Sequence, residues 1–205
     1  MSKRNTASRA APPPGPEPDA LLAIAVHQRC DSAFERLVGR FETPLIRYAG
    51  TLLQSRPDAE EVVQDAMMRA HRALTVQYDE ARCRALALRP WLFKMVRNLA
   101  LNKRRGKRRQ VEQPLDASLK RSLLSIGPDD VQLDRKRGLL RLQRAVDALP
   151  DEARELIALR FLEEMTYAEI AKTVGASEAS LRGRVFRSLA ILRQRLEKEG
   201  VPHAL

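Results

Sequence analysis

The residues Phe34, Leu37, Val38, Phe41, Leu45, Tyr48, Ala49 and Leu52 recur at steps of three and four. An α-helix turns once every 3.6 residues, so this spacing gathers them on one face, whereas a strand would need alternation by two. The pattern returns in Val62, Val63, Ala66, Met67 and Ala70, and in Trp91, Leu92, Met95, Val96 and Leu99. It predicts an all-α chain whose helices each turn one apolar face to a core. Pro44 interrupts the first stripe. An interior proline costs about 3 kcal/mol and removes a hydrogen bond, so a kink or a fresh helix start with Thr43 as cap is expected there.

Helix ends can be read from caps. Asp19 can cap a first helix through about Arg29, and Asp31 or Ser32 a second, with Glu35 placed to complete a capping box from Ser32. SRPD opens a third at Ser55 with Pro57 in its first turn, running to about Leu74, and Pro90 suits the first turn of a fourth. Residues 75–89 read as a loop or broken helix. Later helices are expected over Val131–Leu149, Asp151–Leu162, Thr166–Val174 and from Ser177 to about Lys198.

Between these runs the composition changes. Residues 1–19, rich in Pro, Ser and charge, have almost nothing to bury and read as a disordered extension. Residues 20–106 form one small helical domain and 131–199 another. The intervening 107–130 holds Pro114, Gly127 and Pro128 and reads as a flexible linker, with a short helical turn at LKRSLL.

Several classes fall away. The apolar run LLAIAV is far shorter than the roughly 20 residues a membrane-spanning helix needs, so a cytoplasmic protein with no membrane partner is expected. Cys30 and Cys83 match no redox spacing. His27 and Cys30 make a single H-x-x-C pair, two ligands short of a zinc site. With three scattered histidines, no Gly-rich phosphate loop and no paired carboxylates outside one acidic helix, the reading holds no catalytic residue, no metal and no cofactor.

Charge points to a polyanion. The chain carries a net +11 with a pI near 10.3, an excess that attracts nucleic acid. Its basic residues crowd into Lys94–Arg109 and Arg182–Arg195, while Asp58, Glu60, Glu61 and Asp65 gather on one helix. In the fourth helix the face opposite the apolar stripe presents Lys94, Arg97, Asn98, Asn102, Lys103 and Arg104. Such a surface can displace counterions from phosphates, and Asn98 and Asn102, one turn apart, add base-reading capacity. Trp91 is expected in the core rather than stacked on a base, while Phe93 fits either place.

The segment TYAEIAKTVGASEASLRGRVFRSL has the pattern of a helix-turn-helix. Gly175 suits the left-handed turn, Ala171 permits a close crossing, and Ile170, Val174, Leu181, Val185 and Leu189 supply a shared core. The second helix then offers Ser180, Arg182, Arg184, Phe186 and Arg187 to a major groove.

EVVQDAMMRAHRAL with RPWLFKMVRNLALNKRR, and ALPDEARELIALRFLEEMTYAEIAKTVGASEASLRGRVFRSLAILRQRL, resemble the two domains of the extracytoplasmic-function (ECF) sigma factors of bacterial RNA polymerase. With FERLVGRFETPLIRYAGTLL the resemblance spans about Leu21 to Glu197. It implies sigma domain 2 and a helix-turn-helix sigma domain 4, joined by a flexible linker, in a non-enzyme that binds core RNA polymerase and promoter DNA and helps open the duplex. It implies polymerase binding by Asp58, Glu61, Gln64 and Asp65, and minus-ten recognition by Arg97, Asn98, Asn102, Lys103 and Arg104. The loop Asp79–Leu88 matches a base-capturing segment, and Ser180, Arg182, Arg184, Phe186 and Arg187 match the minus-thirty-five reader. An anti-sigma factor is a further partner implied for members of the family. The chain departs from the family's habit at Asn102, where Asp is frequent, at Gly183, where a small hydroxyl residue is usual, and in ARCRALALRP, which lacks a Ser-Phe pair.

Two other readings of the residues stand beside this one: a dimeric repressor or activator using the helix-turn-helix alone, and an enzyme acting on nucleic acid.

Overall fold

The computed structural model describes residues 18–110 and 141–198, all of its regular elements helical. Helix α1 spans Asp19–His27, α2 Ala33–Leu53, α3 Arg56–Arg72, α4 Glu80–Ala85 and α5 Leu88–Gln110. Residues 141–147 form α6, followed by α7 Asp151–Ile157, α8 Tyr167–Val174 and α9 Glu178–Lys198. The expected extension up to Glu17, most of the linker with its turn at LKRSLL, and 131–140 of the expected later helix lie outside the described residues.

The long stripe sets α2. Leu37, Phe41, Leu45, Tyr48, Ala49 and Leu52 are all buried, and α2 packs on both α3 and α5. Pro44 neither breaks it nor starts a new helix, for α2 is continuous from Ala33 to Leu53. Apolar side chains are buried on both sides of Pro44, at roughly 1.5–3 kcal/mol for each large one, which outweighs a single lost hydrogen bond. The expected capping box at Ser32 does not form. Ser32 sits in the left-handed region at φ 56° without a side-chain cap, and its hydroxyl instead accepts from Arg36 at 3.3 Å. Asp19 is the first helical residue rather than the cap, with Pro18 before it.

Residues 73–89 are more ordered than a loop. A π-helical turn, Ala73–Gln77, extends α3, and α4 follows with Asp79 accepting from the Arg82 amide at 2.7 Å as its cap. His27 closes this corner, its Nδ1 donating to the Leu74 carbonyl at 2.9 Å, while Cys30 is exposed and Cys83 buried.

A second π-helical turn, Ala158–Leu162, extends α7 and ends where the Glu163 amide bonds to the Ala158 carbonyl at 2.9 Å. The two halves of the chain then share one core. Leu156, Leu159, Met165, Ile170, Leu181 and Val185 pack in the same cluster as Tyr48, Leu92, Phe93 and Val96, with α8 lying against α5. A smaller cluster of Leu149, Ala153 and Ile157 with Ile191 and Leu192 fixes α7 to α9. No helix among the described residues is long and apolar enough to cross a membrane.

Candidate nucleic-acid and protein interfaces

The helix-turn-helix is built as its residues dictate. Thr166 Oγ1 accepts from the Glu169 amide at 3.2 Å while Glu169 Oε2 accepts from the Thr166 amide at 2.9 Å, a reciprocal capping box at the start of α8. Gly175 ends α8 at φ 76° and ψ 41°, a left-handed conformation that costs glycine no clash. The Gly175 and Ala176 amides both bond to the Ala171 carbonyl, at 2.9 and 3.3 Å. Ser177 Oγ then accepts from the Ser180 amide at 3.3 Å, capping α9.

Ile170, Leu181 and Val185 are buried where the two helices cross, and Val174 is partly so. Leu189, expected among them, is 38% exposed. It lies a turn beyond the contact with α8, where Ser188 takes the inward place. The outward arc of α9 carries Ser180, Arg182, Phe186 and Arg187, all exposed, with Phe186 at 74%. Arg182 lies 3.9 Å from Glu178 with its guanidinium over the Tyr167 ring. Arg184, at the flank of the arc, is half-buried and held by Glu152 at 2.5 Å.

The fourth expected helix, α5, is divided between two neighbours. Leu92, Phe93, Val96 and Ala100 are fully buried, with Trp91, Met95 and Leu99 partly so. Of the six polar residues expected outward, Lys94, Asn98 and Asn102 are exposed. Arg97 is not open: Glu155 accepts from its Nε at 2.7 Å and its Nη2 at 3.3 Å. The guanidinium pKa is raised because, against burial, it is bonded to that carboxylate. Arg104 pairs with Asp151 at 2.8 Å.

Lys103 turns the other way, to Glu61 at 2.5 Å and Asp58 at 3.4 Å, and Lys107 reaches Asp58 at 2.5 Å. The acidic helix and the basic end of α5 therefore partly neutralise each other. Burial opposes ionisation of Asp58, but its bonds to Lys107, Ser55 and Lys103 prevail and hold its pKa below the ordinary carboxylate value. Asp65 pairs with Arg69 at 3.0 Å one turn on, and Gln64 is exposed. Beside them a groove between α2 and α3 has Phe34, Val38, Val63 and Met67 on its floor and Glu42, Glu60 and Glu61 at its rim.

The loop expected to capture a base is instead α4 with a short approach to α5, its Cys83 and Leu88 buried. Sequence reasoning missed the residues joining the halves. Arg47 binds Glu163 through Nε at 2.6 Å and Nη2 at 3.0 Å, Arg89 donates to the Glu163 carbonyl, and Tyr48 Oη donates to Glu155 at 2.7 Å. Arg154 braces the same seam, donating to the Thr51 carbonyl at 3.1 Å. The only local signal was the spacing of Asp151, Glu155 and Glu163 by multiples of four. Among the described residues no group of His, Cys, Asp or Glu side chains could hold a metal ion.

A capped helix-turn-helix with an outward arginine row is packed on a helical unit that carries both an acidic and a basic surface, the architecture of a two-part helical protein with a helix-turn-helix. Residues 37–110 match the model of Sigma-70 region 2, and residues 139–192 that of Sigma-70, region 4. The ECF RNA polymerase sigma factor SigL of Mycobacterium tuberculosis is 32% identical over 160 residues, 77% of this chain and 85% of that protein. The chain therefore belongs to the ECF sigma factors of RNA polymerase. It spans 41% of the length of the probable RNA polymerase sigma factor RfaY of Xanthomonas campestris pv. campestris, at 25% identity over 82% of this chain. In fold it is similar to the sigma factor RpoE solved in complex with the anti-sigma factor NepR from Bartonella quintana, with a TM-score of 0.63 and 23% identity over 81% of this chain and 98% of that one.

Proposed function

We propose that the chain binds core RNA polymerase, recognises the two promoter elements and promotes DNA opening at initiation, with the work divided among three surfaces. Asp58, Glu61, Gln64 and Asp65 on α3, beside the apolar groove, form the polymerase-binding face. Arg97, Asn98, Asn102, Lys103 and Arg104 on α5 serve the minus-ten element. Ser180, Arg182, Arg184, Phe186 and Arg187 on α9 serve the minus-thirty-five element.

The observation that carries this reading is the outward arc of α9. Arg182, Phe186 and Arg187 stand exposed on the side opposite Leu181 and Val185, on a helix whose start is fixed by the capped turn at Gly175. Arginine can bond guanine at two points, and an aromatic ring can touch a thymine methyl. Among the described residues Asn98 and Asn102 are open on α5 without any rearrangement, whereas Arg97, Lys103 and Arg104 are ion-paired. The protein acts in the cytoplasm without catalysis of its own, and an anti-sigma factor is a further partner of these surfaces. Mixing the purified chain with core polymerase and a promoter library should yield specific initiation. A chain that never associates with core polymerase would overturn the reading.

A further inference from the structure

Several cations of the first half pair within it, Arg40 with Asp19, Arg56 with Glu60, Arg69 with Asp65 and Arg84 with Glu80. Lys103 and Lys107 of α5 likewise pair within that half, with Asp58 and Glu61. Four arginines along the seam do not. Among the described residues every acidic partner of Arg47, Arg89, Arg97 and Arg104 comes from the second half: Glu163, Glu169, Glu155 and Asp151. As the arginines of α5 descend in number from Arg104 through Arg97 to Arg89, their ion-pair partners ascend from Asp151 through Glu155 to Glu169, with the Glu163 backbone carbonyl also accepting from Arg89, so one acidic edge lies along one basic edge.

We propose that Arg47 and Arg89 join Arg97 and Arg104 in a phosphate-binding row for promoter DNA, and that Asp151, Glu155 and Glu163 occupy this row in the free protein as stand-ins for DNA phosphates. The inference rests on the proposed function, and it adds two DNA-contacting residues and a competition between DNA and the second half. Arg47 grips Glu163 through two nitrogens and Arg97 grips Glu155 likewise. That fork fits a carboxylate and a phosphate equally well. Arg89, Arg97 and Arg104 follow at steps of eight and seven, which spreads them over an arc of about 80° on α5 at intervals of about 10–12 Å along its axis. A DNA strand places a phosphate every 3.4 Å or so of duplex axis, so each interval corresponds to about three nucleotides. The exposed Asn98 and Asn102 stand on the flank next to this row. A strand held by the arginines would therefore run past the residues assigned to reading bases.

DNA and the second half cannot hold the row at once. Glu155 and Glu163 are only 6% and 4% exposed and lie in the seam between the halves, so DNA reaches the arginines only when the acidic edge leaves. The full-length chain, without polymerase, is titrated with a mixed-sequence single-stranded 20-mer over a series of salt concentrations. The double variant Glu155→Gln, Glu163→Gln should bind about tenfold more tightly than wild type. Adding Arg47→Ala and Arg89→Ala to that background should return the affinity toward wild type and flatten the salt slope by about 1.4, at roughly 0.7 for each lost phosphate contact on a single strand. Unchanged affinity in the double variant, or an unchanged slope after removal of both arginines, overturns the proposal.

A second measurement needs no variant. Saturating wild type with the same 20-mer should raise amide hydrogen exchange in α8, which lies against α5 in the closed form, and unchanged or slower exchange there counts against the competition. Association of wild type with core polymerase, measured in parallel, tests the proposed function independently of either result.

Discussion

Tyr48 Oη donates a 2.7 Å hydrogen bond to Oε1 of Glu155, a carboxylate 107 positions further along the chain that also receives Arg97. A fully buried phenol from the middle of α2 thus meets a charge from α7 inside the shared core. Hydrogen bonds to a charged group contribute about 1.5–3 kcal/mol. Tyr48→Phe keeps the ring but leaves Glu155 short of a donor, so the unfolding free energy extrapolated from urea titrations should fall by an amount in that range.

The same contact gives an alkaline signature. Burial, reinforced by Glu155, raises the Tyr48 pKa well above its ordinary 10.0. The folded state then holds a proton that the unfolded state releases, so the stability contribution is fully present below pH 10 and is lost as pH rises beyond it. Wild type should lose stability above pH 10 more steeply than Tyr48→Phe, as followed by urea titrations across that range.

At the other end of the pH scale the tie between α3 and α5 should fade. Asp58 has a folded-state pKa below its ordinary 3.8 because Lys107, Ser55 and Lys103 bond its ionised form against the cost of burial. Its contribution is fully present above that ordinary value and disappears as pH falls through the lower one. Asp58→Asn should therefore be less stable than wild type at neutral pH and indistinguishable from it in strong acid, a comparison that thermal melts at a series of pH values will make.

Two glycines of the helix-turn-helix should respond to alanine with opposite signs. At Gly183, inside α9, an added Cβ meets nothing nearer than a guanidinium nitrogen of Arg187 at 3.5 Å. Gly183→Ala should stabilise the fold by up to about 1 kcal/mol through helix propensity. At Gly175, with φ +76°, there is space for the methyl but the backbone opposes it, and Gly175→Ala should cost about 1 kcal/mol. Calorimetric melting temperatures should move apart accordingly.

On the DNA side, Arg187→Ala should weaken binding of the polymerase complex to a cognate minus-thirty-five element by about 1–3 kcal/mol, the range for a bidentate arginine–guanine contact. Elements altered at the contacted base should lose the difference between wild type and variant, which a competition assay would show.

Local chemistry made much of this molecule legible. The apolar stripe of α2, the capping box at Thr166 and the turn glycine at Gly175 each involve neighbours within a few residues, so spacing alone reveals them. Three of the five residues assigned to minus-ten DNA were misplaced in environment, because Arg97, Lys103 and Arg104 find their acids 58, 42 or 45, and 47 positions away. Nothing in RNLALNKRR distinguishes a cation that meets water from one that meets Glu155. Glu163 looks equally ordinary beside Glu164, yet it is nearly enclosed by Arg47 and the seam between the halves. Cap failure at Ser32 is of the same kind: its φ of 56° is a left-handed conformation that no preference of serine encodes.

The turn Ala158–Leu162 carries a spacing role. In an α-helix eight residues leave two side chains about 80° apart around the axis. The wider loops of a π-turn, bonded from each residue to the fifth before it, rotate less per residue and bring Glu155 and Glu163 back toward a common line. One surplus residue in that turn thus acts as a vernier, and excising it would swing Glu163 away from Arg47 without altering a single charge.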